Sequence, residues 1–279
     1  MYPDQLKKVR LFAFDLDGTL LNSQKKLTKC TLNTLSEIST KGFKIVFASG
    51  RIKSSMLRYI EQCSFPVGIL SLNGAAVYSD YQHNFKNLFN APLPSEYADF
   101  LIKFSENQHI AMNYYFDENL YTLKNEKTLA WIELYINQTH STYHYLDTFE
   151  KFLGKSPSKI IFVGSPELLD KQQRFFSDLW GDSVYICRTW KYYLEFLSPH
   201  TNKGIGLASL ADHYNIPMNE VVAFGDASND IPMLERAGYS IAVQNASPEV
   251  KTAAKKVSPW TNDEDAIMHE WQLMKQIFS

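Results

Sequence analysis

The fold is decided by the stretch DLDGTLL at residues 15–21, which follows a short apolar run at residues 9–14. The apolar run predicts a buried strand. The carboxylates of Asp15 and Asp17 therefore come directly after the carboxyl end of a strand, where open α/β sheets bind their ligands. Two carboxylates this close repel each other, so they need a cation, a shared proton or water between them. A plain polar turn is the alternative interpretation, because Asp and Gly are common in turns.

Composition limits the classes of protein to which the chain can belong. Its 279 residues suggest about two domains, and a hydrophobic content of 45% is ample for a core. A formal net charge of -2, without a long run of one sign, predicts no nucleic-acid partner. No run approaches the about 18 apolar residues that cross a membrane. The cysteines Cys30, Cys63 and Cys187 are far apart, which favours a reduced, cytoplasmic setting.

Strands and helices alternate at both ends of the chain, which predicts a parallel sheet with right-handed crossovers. At the first end we predict strands at 9–14, 44–48, 68–71 and 75–78, with helices at 28–41 and 54–62. At the returning end we predict strands at 221–224 and 239–243, with helices at 203–214, 231–237, from Pro248 onward, and 263–277.

The middle of the chain has a different pattern. Neighbouring strands are predicted at 110–116 with 119–123 and at 184–189 with 192–197. Such pairs indicate an antiparallel sheet, on which helices predicted at 95–106, 126–137, 147–153 and 166–179 would pack. We therefore predict an α/β protein with a Rossmann-like parallel-sheet core at 1–83 and 197–279, and an inserted α+β cap domain at 84–196.

A second acidic cluster, GDASND at residues 225–230, also follows a short apolar strand. In a parallel sheet it lies at the same edge as Asp15 and Asp17. Hard oxygen ligands with room for water suit Mg²⁺, so the two clusters together predict a magnesium site. Taken alone, the second cluster could be a turn in which an Asp caps the helix at 231–237.

Two further segments have the chemistry of an anion site. Ser49, Gly50 and Arg51 lie between a strand and a helix, where a hydroxyl and backbone amides bind anions. A Ser cap in a routine loop is the alternative. Lys203 begins a helix, which is unfavourable with the helix dipole unless its ammonium faces a bound phosphate or carboxylate. A solvated surface lysine is the alternative there.

The order of these four segments resembles that of the haloacid dehalogenase-like phosphohydrolases, and more closely the Cof-type branch with a large α+β (type IIB) cap. The resemblance covers essentially the whole chain. It extends to NGA at 73–75, IPML at 231–234, AVQNA at 242–246 and TNDED at 261–265.

The resemblance implies a role for each site residue. Asp15 would be the nucleophile that forms an aspartyl-phosphate, and Asp17 the general acid and then the general base. The acid role leads us to expect a raised pKa of Asp17 in the substrate complex. The remaining roles would be divided among residues that bind Mg²⁺ (Asp15, the carbonyl of Asp17, and Asp226, supported by Asp230) and residues that bind the phosphoryl group (Ser49, Gly50, Lys203 and Asn229).

Arg51 and Asn73 have less specific expectations. Arg51 belongs to a family motif, and its partner is either structural or the substrate. Asn73 is expected near the site, where it would orient a loop or contact the substrate.

The resemblance implies a Mg²⁺-dependent phosphomonoesterase for small phosphorylated metabolites, such as sugar phosphates, pyridoxal phosphate or nucleotide phosphates. A phosphomutase would use the same aspartyl-phosphate, and a phosphometabolite-binding protein without catalysis would use the same pocket. Fold alone does not separate these three. We expect a monomer or small homo-oligomer in the cytoplasm, with neither a membrane nor a nucleic acid as partner.

Overall fold

A computed structural model of the chain describes residues 4–81, 83, 85–108, 110–139 and 141–278. Two compact units are formed, Met1–Phe89 with Asn202–Ser279, and Asn90–Thr201. The domain boundaries predicted at 83/84 and 196/197 lie six and five residues before this division and stay a prediction. The assignment of the two units as catalytic core and inserted cap remains a prediction.

The strands of the described residues are β1 (Leu11–Asp15), β2 (Lys44–Ala48), β3 (Val67–Ser71), β4 (Ala76–Tyr81), β5 (Asn87–Asn90), β6 (Ala111–Phe116), β7 (Asn119–Leu123), β8 (Tyr143–Leu146), β9 (Lys159–Val163), β10 (Tyr185–Trp190), β11 (Tyr193–Leu197), β12 (Val221–Gly225), β13 (Tyr239–Ala242) and β14 (Lys256–Val257). The α-helices are α1 (Lys29–Thr40), α2 (Lys53–Ile60), α3 (Ser95–Gln108), α4 (Leu129–Thr139), α5 (Pro166–Trp180), α6 (Lys203–His213), α7 (Ile231–Arg236), α8 (Pro248–Ala253) and α9 (Ala266–Met274). None of these helices is long and apolar enough to cross a membrane.

The first unit is built on a sheet of order β14-β13-β12-β1-β2-β3-β4-β5. The strands from β14 to β3 pair in parallel, and β1 lies between β12 and β2. In this register Asp15 is opposite Ala48, and Phe14 is opposite Phe224. The carboxyl ends of three neighbouring strands therefore meet at one edge, where the sequence predicts the site.

The parallel core is confirmed, with local differences. The strand predicted at 75–78 exists as β4, but it runs antiparallel to β3. It follows a tight turn in which Asn73 has a left-handed φ of 56°, and so short a connection permits only antiparallel pairing. The helix predicted at 147–153 is wrong, because only one 3₁₀ turn, Glu150–Phe152, forms there.

The second unit has its own sheet, of order β10-β11-β9-β6-β7-β8. Both predicted strand pairs are confirmed as antiparallel, although β7 and β8 pair in parallel. Aromatic side chains fill both faces of β6: Tyr114 packs with Phe152, while the hydroxyl of Tyr115 lies 2.5 Å from that of Tyr135 on α4. Both faces of β6 are therefore buried.

Helix α9 packs on the core of the first unit through several buried side chains, of which Trp271 is the largest. Trp271 is fully buried, and its ring lies 5.8 Å from Phe12, 6.0 Å from Phe43 and 5.8 Å from Phe278. Leu273, two residues along the same helix, is 50% exposed.

Trp271→Ala should therefore lower the free energy of unfolding of the chain by about 3–5 kcal/mol, the usual cost of deleting a large core side chain. Leu273→Ala, the matched control, should change it by less than about 0.5 kcal/mol. Urea denaturation followed by circular dichroism measures both. Equal effects of the two variants would contradict the packing described for α9.

Candidate active site

A buried ion-pair network surrounds the carboxylate that ends β1. Asp15 is 5% exposed, and its Oδ1 accepts a hydrogen bond of 2.5 Å from Lys203 Nζ. The same ammonium donates to Asp230 Oδ1, also at 2.5 Å, and the side chains of Lys203 and Asp230 are fully buried. Lys203 therefore joins the first and second acidic clusters, and it is not a solvated surface lysine.

A helix cap and two close backbone contacts position Lys203 here. Asn202 caps α6 by accepting a hydrogen bond from Ile205 N, so the helix begins at the lysine. At Gly204 a Cβ would lie 2.2 Å from the carbonyl oxygen of Pro232, and at Gly74 it would lie 2.3 Å from that of Asn202. Only glycine fits at both contacts, which is why the start of α6 can approach both α7 and the turn between β3 and β4 so closely.

Asp226, at the end of β12, completes a group of three carboxylates. One carboxylate oxygen from each of Asp15, Asp226 and Asp230 lies within 4.8 Å of the others. Asp226 Oδ1 accepts a hydrogen bond of 2.6 Å from the hydroxyl of Thr19. A Cβ on Gly18, which has a φ of 91°, would lie 2.4 Å from Asp226 Oδ2. The DGT turn therefore folds against Asp226, which explains why glycine precedes the threonine.

Asp230 is occupied on both of its oxygens. Its Oδ2 accepts hydrogen bonds of 3.0 Å from the backbone N–H groups of Asp226 and Ala227, while its Oδ1 is bound to Lys203. Its backbone lies at the start of α7, but its side chain makes no capping bond to that helix. The simple capping alternative is therefore wrong, and Asp230 instead orders the turn that carries Asp226.

The cluster is electrostatically unfavourable for negative charge. Burial, followed by the charge of Asp230, raises the pKa of the Asp15 carboxyl well above its ordinary value. The same two causes raise the pKa of Asp226 to about 7. Burial alone would lower the pKa of Lys203, but the carboxylates of Asp15 and Asp230 outweigh it and raise that pKa. Lys203 is therefore charged, and additional positive charge would stabilise the ionised carboxylates.

The donor set fits a hard divalent cation. The three carboxylates supply only oxygen ligands, which Mg²⁺ prefers. Asp15 Oδ2 is buried and has no hydrogen-bond partner among the described residues, so it is a candidate ligand atom. Because both oxygens of Asp230 are already bound, Asp15 and Asp226 are the better direct ligands, and Asp230 is better suited to a supporting role.

A polar group lies at the neighbouring strand ends. Asn229 Nδ2 donates a hydrogen bond of 2.8 Å to Asn73 Oδ1, and a Cβ on Gly50 would lie 3.2 Å from the same oxygen. Ser49 follows β2 and is 2% exposed. Its backbone carbonyl accepts a hydrogen bond of 3.0 Å from Asn73 N. Its hydroxyl accepts from Arg51 N at 3.2 Å and does not cap α2, whose N-cap is Ile52. The predicted phosphoryl-binding residues Ser49, Gly50 and Asn229 are thus linked through Asn73.

Asp17 has an environment opposite to that of Asp15. Its Oδ2 accepts from Arg51 Nε at 2.6 Å, its Oδ1 accepts from Arg51 Nη2 at 2.8 Å, and Lys25 Nζ lies 2.9 Å from Oδ1. Burial favours the neutral carboxyl, but the hydrogen bonds and charge of Arg51, together with Lys25, hold its pKa well below the ordinary value. Asp17 is therefore one partner of Arg51, and a contact of Arg51 with the substrate stays a prediction. The pKa of Asp17 here is opposite in direction to the raised value that a general acid needs.

The turn after Asp17 is held by a polar clamp that we did not predict. Asn245 Nδ2 donates to the carbonyl of Gly18 at 2.7 Å, and Asn262 Nδ2 donates to that of Leu21 at 2.8 Å. The two asparagines are joined, since Asn262 N donates to Asn245 Oδ1 at 3.0 Å. Asn245 lies in the segment AVQNA and Asn262 in TNDED. The sequence motifs therefore marked these residues but did not show which carbonyls they bind. Lys25 lies in no such motif, because its contact with Asp17 depends on the conformation of the turn.

Comparison with known proteins identifies the family. A family model described as haloacid dehalogenase-like hydrolase matches residues 12–270, so the chain belongs to the haloacid dehalogenase-like hydrolases. Relatives along most of the chain are named as phosphatases, and a structure of subclass IIB has a similar fold. The predicted family and fold are therefore confirmed.

The chain is similar to several phosphatases along most of its length. It is 27% identical over 277 residues to the 5-amino-6-(5-phospho-D-ribitylamino)uracil phosphatase YitU of Bacillus subtilis, covering 98% of each chain. It is 29% identical over 243 residues to the HMP-PP phosphatase of Yersinia pestis, covering 87% of this chain and 86% of the relative. Its fold matches that of the subclass IIB sugar phosphatase BT4131 with a TM-score of 0.81 at 21% identity, covering 96% of this chain and 99% of the other.

The raised pKa of Asp226 predicts a pH-dependent stability. The ordinary pKa of 3.8 applies to the unfolded chain and a value of about 7 to the folded chain. Between these values the folded state binds more protons, so in EDTA the contribution of Asp226 to stability falls as pH rises from about 4 to 7. One such group changes the free energy of unfolding by at most about 1.4 kcal/mol per pH unit.

Asp226→Asn should reduce this decline, and Asp212→Asn, an exposed substitution on α6, should leave it unchanged. Added Mg²⁺ should stabilise the wild-type chain more at pH 7 than at pH 5, because its ligands must be ionised. Thermal denaturation across pH, with EDTA or with Mg²⁺, measures both effects. A pH profile of Asp226→Asn equal to that of the wild type would refute the electrostatic environment described for Asp226.

Proposed function

We propose that the chain is a Mg²⁺-dependent phosphomonoester hydrolase that acts through an aspartyl-phosphate on Asp15. The observation that carries the proposal is the buried group of Asp15, Lys203, Asp226 and Asp230 at the carboxyl edge of the sheet. One oxygen of the Asp15 carboxylate is paired to a lysine and the other has no hydrogen-bond partner among the described residues, which suits it to attack phosphorus. Membership of a family of hydrolases supports the same chemistry.

The magnesium ion would be held by Asp15, the backbone carbonyl of Asp17, and Asp226, with Asp230 in support. When bound, it would neutralise charge on the phosphoryl oxygens and on the attacking carboxylate. Ser49, the amide of Gly50, Lys203 and Asn229 would bind the phosphoryl oxygens. The hydrogen bond between Asn229 and Asn73 supports a positioning role for Asn73.

The chemical steps follow from the two carboxylates. Asp15 forms a bond to phosphorus as the bond from phosphorus to the substrate oxygen breaks, and Asp17 gives its proton to that oxygen. Water then attacks the phosphorus of the aspartyl-phosphate while Asp17 takes a proton from that water. This step breaks the bond from phosphorus to Asp15, regenerates Asp15 and releases inorganic phosphate. Phosphoryl transfer depends mainly on positioning and charge neutralisation, and the site is rich in groups that do both.

The substrate we propose is a small phosphorylated metabolite, such as a sugar phosphate, pyridoxal phosphate or a nucleotide phosphate. The relatives named as phosphatases for 5-amino-6-(5-phospho-D-ribitylamino)uracil and for HMP-PP support this class. We further propose that the protein works in the cytoplasm as a monomer or small homo-oligomer, without a nucleic-acid partner. The balanced charge of the chain supports the absence of a nucleic-acid partner, and the wide spacing of its three cysteines supports a cytoplasmic setting.

Asp15→Asn should reduce hydrolysis of para-nitrophenyl phosphate by at least about a thousandfold, because the nucleophile is lost. Removal of Mg²⁺ with EDTA should abolish turnover by the wild type. Asp212→Asn is the matched control and should retain wild-type activity. Released inorganic phosphate is measured alongside nitrophenol, since transfer to a second hydroxyl would indicate a phosphomutase. Wild-type activity of Asp15→Asn would refute the proposed nucleophile.

A further inference from the structure

A cluster of positive side chains surrounds Asp17. Arg51 binds both oxygens of Asp17, and Lys25 contacts one of them. The ring of Tyr59 lies 5.6 Å from the Arg51 guanidinium and 4.7 Å from that of Arg58. We call Asp17, Lys25, Arg51, Arg58 and Tyr59 the cationic corner.

The backbone places Lys25 in this corner at an energetic cost. Lys25 has a left-handed φ of 57°, which is unfavourable for a residue with a Cβ. Its N–H donates to the carbonyl of Asn22 at 2.8 Å, and its carbonyl accepts from the hydroxyl of Tyr59 at 3.2 Å. Tyr59 is 3% exposed, so the turn is fixed to a rigid part of the core. The ammonium is therefore held beside Asp17 by the fold.

The charges of the corner do not balance. Lys25, Arg51 and Arg58 carry three positive charges, against one negative charge on Asp17. Around Asp15 the balance is reversed, because Lys203 faces three carboxylates. The side chain of Lys25 is 41% exposed and that of Asp17 is 32% exposed, so a ligand can reach the ammonium. An additional anion would therefore be stabilised in the corner.

We infer that the cationic corner recognises a second acidic group on the substrate, carried by the leaving group close to the ester oxygen. This inference rests on the proposed function, which puts Asp17 beside that oxygen. Lys25 is then a specificity-determining residue, with Arg51 beside it. The preferred substrates are phosphoesters whose leaving group bears a carboxylate or a phosphoryl group.

The test compares substrates that differ only in the charge of the leaving group. Glycerol 3-phosphate and 3-phosphoglycerate differ by a hydroxymethyl group and a carboxylate. A second pair of monoesters, 2-hydroxyethyl phosphate and ethane-1,2-diol bisphosphate, tests a phosphoryl group instead and keeps the hydrolysed bond a phosphoester. The wild type should have a kcat/KM about two- to tenfold higher for the acidic member of at least one pair, as expected for one partly exposed ion pair. The pair that shows the preference identifies whether the corner recognises a carboxylate or a phosphoryl group. High salt should weaken the preference.

Lys25→Gln should remove most of this preference, mainly through KM for the acidic substrate, and Lys25→Arg should restore it. Lys26→Gln makes the same change of charge at the next, exposed residue and should leave the preference intact. An equal loss of kcat/KM for the neutral and acidic members of a pair in Lys25→Gln would overturn the inference. So would the absence of a preference in the wild type, or an effect of Lys26→Gln equal to that of Lys25→Gln.

Binding to the Asp15→Asn variant, with and without Lys25→Gln, is measured by calorimetry with the same four compounds. This readout reports recognition of charge without turnover. Failure of the wild type to hydrolyse any compound, with charge-dependent binding retained, would contradict the proposed function but support the corner. Hydrolysis without charge-dependent binding or kinetics would support the proposed function and overturn the corner.

Discussion

The constraint on which the rest of the structure depends is the crowding of Asp15, Asp226 and Asp230 at one edge of a buried sheet. Like charges in a poorly solvated site repel strongly, and such an arrangement persists only if positive charge is built in with it. Lys203 supplies part of that charge from the first turn of α6. The contacts at Gly74 and Gly204 follow from this requirement, because they bring that turn close enough for the ammonium to reach two carboxylates at once.

A second consequence is that distant parts of the chain must hold the turn after β1. The turn carries Gly18 and Thr19 against Asp226. Asn245 and Asn262 bind carbonyls of the turn, so the returning half of the chain fixes the first half. The segments AVQNA and TNDED are thereby linked physically to the DGT turn. They add no charge to the site, but they restrict the positions that Asp17 can adopt.

The sequence predicted the parallel core and the residues that meet at its edge, because short apolar strands ending in polar clusters leave few alternative arrangements. It could not predict which side chains pair. The link from Lys203 to Asp15 and Asp230 depends on where α6 begins, and the link from Arg51 and Lys25 to Asp17 depends on turn geometry that no periodicity encodes. Along β6, Tyr114 and Tyr115 point to opposite faces and are both buried, because tertiary contacts cover both faces of the strand. Local pattern thus predicts elements, whereas tertiary contacts decide burial and pairing.

The two carboxylates of the DLDGT motif differ in pKa because their surroundings differ. Burial and like charge raise the pKa of Asp15, while Arg51 and Lys25 lower that of Asp17. The roles that we propose need the reverse, an ionised nucleophile and a protonated acid. A divalent cation beside Asp15 favours its carboxylate, and an anion that competes for Arg51 and Lys25 weakens their hold on Asp17. A phosphoester bound with Mg²⁺ brings both kinds of charge, so the ligand itself can convert the two carboxylates to the states that the chemistry requires.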